Sequence, residues 1–159
     1  AANVKGNAAR VELRHDGEQL QVQAQVGRSD AGFNNPAAPL NNGREEASAK
    51  AAYKLDPRNT VKAEVIRSVD SVNQLRREGV LIVAEHQFDN GIKAEAGARH
   101  SVETNATATS TVDSVRLKVG VPVNKDAKVF GEIEQDVRDA DKRIVALGGD
   151  YQLGSRTKV

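Results

Sequence analysis

Apolar and polar side chains alternate one by one along most of this chain, and this period of two restricts the fold more than any other feature. Between residues 19 and 26, every even position is apolar and every odd position is Gln. Successive side chains of a β-strand point to opposite faces of the sheet, whereas a helix would repeat every 3.6 residues or so. The alternation therefore predicts strands with one aliphatic face and one polar face.

The same alternation recurs along the chain and defines nine predicted strands. A further short run, at residues 157–159, predicts the opening of a tenth. The nine runs cover residues 10–14, 19–26, 46–54, 61–65, 79–88, 92–99, 115–123, 129–136 and 145–153. We expect an all-β fold: an up-and-down antiparallel meander that closes into a β-barrel of about 8–10 strands, or a segment of a larger barrel. Residues 1–159 form one domain in this interpretation.

The segments between the strands predict two kinds of connection. Short turns are expected from Gly, Asn, Asp and Pro at residues 16–17, 56–59, 89–91, 124–126 and 154–155. Longer polar loops are expected at residues 29–43, 68–78, 101–113 and 137–142. Because successive turns of a meander fall at opposite ends of the sheet, all short turns would share one rim. That asymmetry is typical of outer-membrane barrels.

Four aromatic residues lie close to predicted short turns. Although Phe130 falls on the charged side of its run, we assign all four to an interfacial belt at the short-turn rim. The four are Tyr53, Phe88, Phe130 and Tyr151.

Composition excludes several classes of protein. The 159 residues include 23 basic and 22 acidic side chains, so no net field favours nucleic acid, and none is expected as a partner. Cysteine is absent, which rules out disulfides and thiolate metal sites. No apolar run reaches the length of about 18 residues that a transmembrane helix requires. We expect neither a metal nor a cofactor, and no enzyme activity.

The charged side chains of the strands are the candidate functional residues. Glu132 and Glu134 share one face of the predicted strand, as a general acid and base would, but the same spacing recurs on other strands without a nucleophile. Such repetition favours a lattice of cross-strand ion pairs. If the aliphatic face meets lipid, the lumen-lining residues are Arg10, Glu12, Arg14, Lys50, Lys62, Glu64, Lys93, Glu95, Arg99, Arg116, Lys118, Glu132, Glu134 and Asp150.

Several segments resemble the β-barrel portion of large repeat-containing bacterial surface proteins. They are residues 27–36, 43–47, 85–91, 97–101 and 148–153. The resemblance implies an outer-membrane barrel with a scaffold, export or adhesion role. Localisation in the bacterial outer membrane follows from the same resemblance.

Two functions remain open from the sequence. The first is an outer-membrane barrel with a structural, anchoring or passive pore role, which has a lipid bilayer or detergent as its partner. The second is a soluble antiparallel barrel or sandwich, extracellular or periplasmic, that acts as an interaction or adhesion module with the aliphatic faces as its core. The unfinished tenth strand leads us to expect either a longer parent barrel or self-association through open strand edges.

Overall fold

A computed structural model describes residues 6–33, 42–153 and 157–158, and the described residues form one antiparallel sheet. The strands are β1 (Ala8–Asp16), β2 (Leu20–Ser29), β3 (Arg44–Lys54), β4 (Asn59–Asp70), β5 (Leu75–Gln87), β6 (Lys93–Thr104), β7 (Thr109–Pro122), β8 (Ala127–Asp136), β9 (Arg143–Leu153) and β10 (Thr157–Lys158).

Each strand pairs with its neighbour in sequence, in the order β1 to β10. The predicted meander of nine strands and the start of a tenth is confirmed. Over the described residues the sheet is not closed: β1 lies at one edge and β10 at the other. An open sheet agrees with the expectation of a segment of a larger barrel. The described part of the chain contains no helix that would span a bilayer.

The register keeps like faces together from strand to strand. Val26 lies opposite Val11 on one side and Ala47 on the other, while Gln25 lies between Glu12 and Ser48. Because side chains alternate along every strand, the register aligns all aliphatic rows on one surface. We call this surface the aliphatic face; its larger members are Val11, Leu13, Val26, Val65, Val80, Ile82, Val115, Leu117, Val119, Ile133, Val145 and Leu147.

The opposite surface, which we call the charged face, contains the few well-covered side chains. Val83 is the one aliphatic side chain counted as buried among the described residues, at 3% exposure, and it lies on the charged face. It sits between Lys62 and Gly97 in the register. Leu117 and Leu147, on the aliphatic face, are 56% and 85% exposed. Apart from Val83, the described part of the sheet therefore has no buried aliphatic core.

The two rims are more alike than the sequence predicts. The lower rim carries connections 17–19, 55–58, 88–92 and 123–126, and the upper rim carries 30–43, 71–74, 105–108 and 137–142. The predicted loop at 137–142 agrees with the structure. Residues 34–41 of the predicted loop at 29–43, and the predicted turn at 154–155, lie outside the described residues. The predicted loops at 68–78 and 101–113 are wrong: strands continue through them and leave turns of four residues.

A side-chain device explains why these two upper connections are short. The Oδ1 atom of Asp70 accepts hydrogen bonds from the backbone N–H groups of Val72 and Asn73, at 3.0 and 2.9 Å. Asn105 does the same for the N–H groups two and three residues later, both at 2.9 Å. Asp and Asn side chains that bond forward in this way replace a longer loop by a tight turn. The polar residues around them lie in strands, and both faces of these strands are polar near this rim.

Candidate functional site

All fourteen predicted lumen-lining residues lie on the charged face. Their strand positions have the parity that the register assigns to that surface, from Arg10 on β1 to Asp150 on β9. Whether that surface lines a lumen depends on the surroundings of the sheet and stays a prediction. The structure does show which of these charges meet.

A continuous network of ion pairs crosses the middle of the charged face. The Nζ atom of Lys62 lies 2.7 Å from Glu85 Oε2 and 3.9 Å from Glu95 Oε1. On the far side of Glu95, Arg116 approaches its Oε2 at 3.4 Å and also reaches Glu132 Oε1 at 3.8 Å. Five strands, β4 to β8, are thereby linked by alternating cations and carboxylates.

Two lysines end this network. Lys93 Nζ lies 3.7 Å from Glu85 Oε1, and Lys118 Nζ lies 3.9 Å from Glu132 Oε2. Lys118 also lies over the ring of Phe130, 4.4 Å from its centroid, which is a cation–π geometry. We call the whole set the central lattice: Lys62, Glu85, Lys93, Glu95, Arg116, Lys118 and Glu132.

The central lattice covers one aliphatic side chain, that of Val83. Lys62 on β4 reaches Glu95 on β6 across β5, where Val83 occupies the intervening position. Gly97, next to Val83 in the register, leaves room for it: a Cβ there would lie 3.0 Å from Val83 Cγ2. The charged side chains thus cover Val83 with their aliphatic stems, as long basic side chains commonly do.

Other predicted residues form smaller pairs around the central lattice. Lys50 pairs with Glu64 at 3.3 Å, and Arg99 pairs with Glu134 at 3.3 Å. Glu134 is 8% exposed and also accepts a 2.6 Å hydrogen bond from the Ser114 hydroxyl.

At the β1 edge, consecutive residues of the charged face pair along the strand. Arg10 pairs with Glu12 at 2.5 Å, and Arg14 pairs with Asp16 at 2.6 Å. Asp150 lies opposite Lys128 in the register, so the fourteen residues make several groups instead of one cluster.

Sequence reasoning missed several charged residues of the same face. Arg77 pairs with Glu103 at 2.6 Å, and Arg44 with Glu46 at 3.2 Å. Arg77 and Glu103 fall in the stretches predicted as loops, so no alternation was assigned there. The sequence did contain a signal, because Arg77 and Glu103 continue the two-residue alternation of the strands that flank them.

The four aromatics do not act as one group. Tyr53 and Tyr151 have the parity of the aliphatic face near the lower rim, at 43% and 50% exposure, and Phe88 directly follows β5 at that rim, at 47% exposure. Phe130 instead lies on the charged face, opposite Gly148 and below Lys118. Its assignment to an outward belt is therefore corrected; its pairing with Gly148 gives the ring room on the charged side.

Glu132 and Glu134, the two carboxylates that share one face of β8, are each bound by a cation. Glu132 contacts Arg116 and Lys118, while Glu134 contacts Arg99 and Ser114. Within the described ranges, no group of three or more His, Asp or Glu side chains could hold a metal ion. The chemistry that the face offers is a polar, ionic surface with both signs of charge.

Comparison with known proteins gives the family. The model of the family described as Gram-negative porin matches residues 3–159. No curated protein matches the chain well enough to provide a named relative. The predicted outer-membrane β-barrel type is supported by the family match, while the resemblance to repeat-containing surface proteins stays a prediction. By its meander, its two unlike faces and this match over almost its whole length, the chain belongs to the Gram-negative porin family of the bacterial outer membrane.

Proposed function

We propose that this chain forms part of the wall of a passive outer-membrane channel, with the aliphatic face against lipid and the charged face along an aqueous lumen. The observation that carries the proposal is the distribution of burial. Leu117 is 56% exposed on the aliphatic face, whereas its neighbour Arg116 has a side chain only 20% exposed on the charged face. A water-soluble sheet protein has the reverse arrangement.

An exposed aliphatic surface of this extent needs an apolar neighbour. It runs without interruption over neighbouring strands, through pairs such as Leu117–Ile133 and Val65–Val80. Contiguous apolar patches on soluble monomers rarely exceed a few hundred Å². The hydrocarbon of a bilayer covers such a face without any further protein layer, and alternation between lipid and lumen is how outer-membrane strands are built.

The charged face supports conduction of small hydrophilic solutes better than tight binding of one ligand. The central lattice places four cations beside three carboxylates, so a passing ion meets both signs of charge close together. Aromatic stacking partners are almost lacking on this face, where Phe130 is the one aromatic ring among the described strand residues. Weak, distributed contacts allow a solute to enter and leave again.

Single cysteines test the assignment of the two faces, because the natural chain has no cysteine. Leu117→Cys and Lys118→Cys are consecutive residues of β7 with opposite parity. In the full-length protein in its outer membrane, a charged, water-soluble thiol reagent should label residue 118 and leave residue 117 unlabelled. A fluorophore attached at 117 should be quenched by a lipid-soluble quencher. Labelling of residue 117 from water with residue 118 protected would overturn the proposal.

Conductance tests the channel itself. The full-length protein in a planar bilayer should give ohmic current steps that grow with salt concentration. A protein whose faces label as proposed, but which carries no current under these conditions, would have an anchoring role and no open pore.

A further inference from the structure

The aliphatic face does not extend to the upper rim, where ionic residues replace it. Towards that rim the same surface, with the adjoining loop, carries arginines and acids that we call the outer belt. The belt is made of Arg28, Glu45, Arg67, Arg76, Glu78, His100, Asp113, Arg138 and Arg143. These residues have no place in the proposed lumen, because those in strands point the other way.

The centre of the outer belt is one carboxylate between two guanidinium groups. Glu78 Oε1 lies 2.7 Å from Arg76 Nη2 and 3.5 Å from Arg67 Nε. The two arginine side chains remain 53% and 57% exposed. One carboxylate cannot occupy all donors of two guanidinium groups, so each arginine keeps N–H donors that Glu78 does not bind.

The other members form smaller groups across the sheet. Asp113 is contacted both by His100 Nδ1, at 2.5 Å, and by Arg138 Nε. Arg28 pairs with Glu45 at 3.3 Å, and Arg143 donates a 2.9 Å hydrogen bond to a neutral amide, Gln135. In the strands of the outer belt four arginines stand against three carboxylates, and the adjoining loop 137–142 adds no net charge, so the belt has an excess of one positive charge.

The distance between the outer belt and the lower rim matches a bilayer. Glu78 of the belt lies on β5, and Phe88 of the lower rim directly follows that strand, ten residues further along the chain. At roughly 3.3 Å per residue they span about 33 Å along the strand, or about 25 Å along the membrane normal for a tilt of about 40°. That is the usual height of the apolar band of an outer-membrane barrel. The outer belt thus falls at the level of the headgroups when the lower rim lies at the opposite interface.

We infer that the outer belt binds the phosphate groups of anionic lipid headgroups in one leaflet. Guanidinium groups bind phosphate oxygens in a bidentate geometry, and the excess of arginine provides the complementary charge. The lower rim presents Tyr53 and Tyr151 at its interface instead, so the two leaflets would be recognised by different chemistry. This inference rests on the proposed contact of the aliphatic face with lipid.

Adjacent arginines on opposite faces provide a matched test. Arg76 belongs to the outer belt, while Arg77 lies on the charged face with Glu103. The full-length protein would be reconstituted in phosphatidylcholine vesicles containing phosphatidylglycerol, then extracted with mild detergent. Native mass spectrometry would count the lipids of each kind that remain bound. A parallel sample without lipid would receive inorganic phosphate.

The inference predicts preferential retention of phosphatidylglycerol by the natural protein. Arg76→Gln or Arg67→Gln should weaken retention about five-fold each, since one basic residue near an anionic surface contributes about that factor. Arg77→Gln should leave it unchanged. Equal retention of both lipids, or an equal loss in Arg77→Gln, would overturn the inference, as would saturation by free phosphate alone.

The cysteine labels separate this result from the proposed function. If residue 117 is protected from water and the lipid preference is absent, the outer belt inference fails while the orientation of the faces stands. If residue 117 is labelled from water, both fail together.

Discussion

Gly148 lies directly opposite Phe130 on the neighbouring strand, and a Cβ at Gly148 would fall 2.5 Å from Phe130 Cζ. Because Gly148 has no side chain, the ring of Phe130 can occupy this space. This relationship accounts for an aromatic residue on a face otherwise made of charges, and it places the ring where Lys118 can lie over it.

Replacing Gly148 with Ala should displace the ring of Phe130 and lose its contact with Lys118. Since an exposed cation–π contact contributes about 0.5–1 kcal/mol and an off-rotamer ring costs a similar amount, we expect the free energy of unfolding to fall by about 1 kcal/mol. Urea unfolding in detergent micelles measures this. Gly120→Ala is the control, because the nearest atom to a Cβ there is 4.0 Å away. Equal loss in both variants would show that the ring needs no such space.

An arginine on the aliphatic face should be costly in proportion to its depth. Leu117 lies well inside β7, whereas Val121 is one residue from its end at the lower rim. Leu117→Arg should cost about 2–4 kcal/mol and Val121→Arg about 0–1 kcal/mol, because the bilayer midplane excludes charge most strongly. Folding into liposomes, followed by chemical unfolding, gives both values. Lys118→Gln, on the charged face, serves as control and should cost no more than the roughly 0.5–1 kcal/mol of its contact with Phe130. Equal costs at 117 and 121 would contradict placement in a bilayer.

Removing one carboxylate from the central lattice should alter ion selectivity. Glu85 holds Lys62 at 2.7 Å and Lys93 at 3.7 Å, so Glu85→Gln leaves two lysines with less compensation. We expect the ratio of anion to cation permeability to rise about two-fold at low salt and less at high salt, because counterions screen exposed charges. Reversal potentials under a salt gradient measure the ratio.

The matched control for this change is Glu45→Gln, which removes the same charge from the opposite face. Its selectivity should equal that of the natural protein. A shift of equal size in Glu45→Gln would mean that the two faces are equally close to the conducting path.

The turn at residues 55–58 should weaken at low pH. A hydrogen bond from the Asn59 side chain, with others from the backbone N–H groups of Arg58 and Asn59, lowers the pKa of Asp56 below its ordinary value of 3.8. A group with a lowered pKa in the folded state contributes stability above the unfolded value, and loses it as pH falls through the folded value. Unfolding midpoints of the natural protein should therefore decline more steeply below pH 3.8 than those of Asp56→Asn, which keeps the turn acceptor but does not titrate.

Asp126→Asn is the control for Asp56→Asn. Asp126 lies in another lower-rim turn, and its carboxylate accepts no hydrogen bond from any described residue. Its substitution should leave the steepness of the acid decline unchanged. An identical flattening in both variants would show that overall charge, and not the turn, governs the decline.

The alternation of side chains along the strands determines much of the structure and can be predicted from the sequence. Once residues 19–26 and their counterparts are taken as strands, hairpin pairing places all fourteen charged residues on one face. The prediction failed where both faces are polar, as at Arg77 and Glu103, because a strand without an aliphatic row looks like a loop. The outer belt was not predicted for the same reason.

The partners within the central lattice could not be predicted from periodicity. Glu95 joins Lys62, two strands away in sheet order, to Arg116 on the adjacent strand. Which carboxylate meets which cation depends on register and on the small side chains beneath them, such as Val83 and Gly97. A one-residue slip in register would exchange the two faces of a strand, and the alternating pattern alone does not fix the offset between hairpins.

Only successive strands of the described sheet are in contact, and this affects how the number of strands in such a wall can change. Every pair of contacting strands in the described sheet is consecutive in the chain, so no strand depends on a distant segment for its position. A hairpin inserted or removed at a turn would leave the pairing of all other strands intact. The circumference of the wall is thus a quantity that can be changed two strands at a time, while its thickness and its two surfaces stay the same.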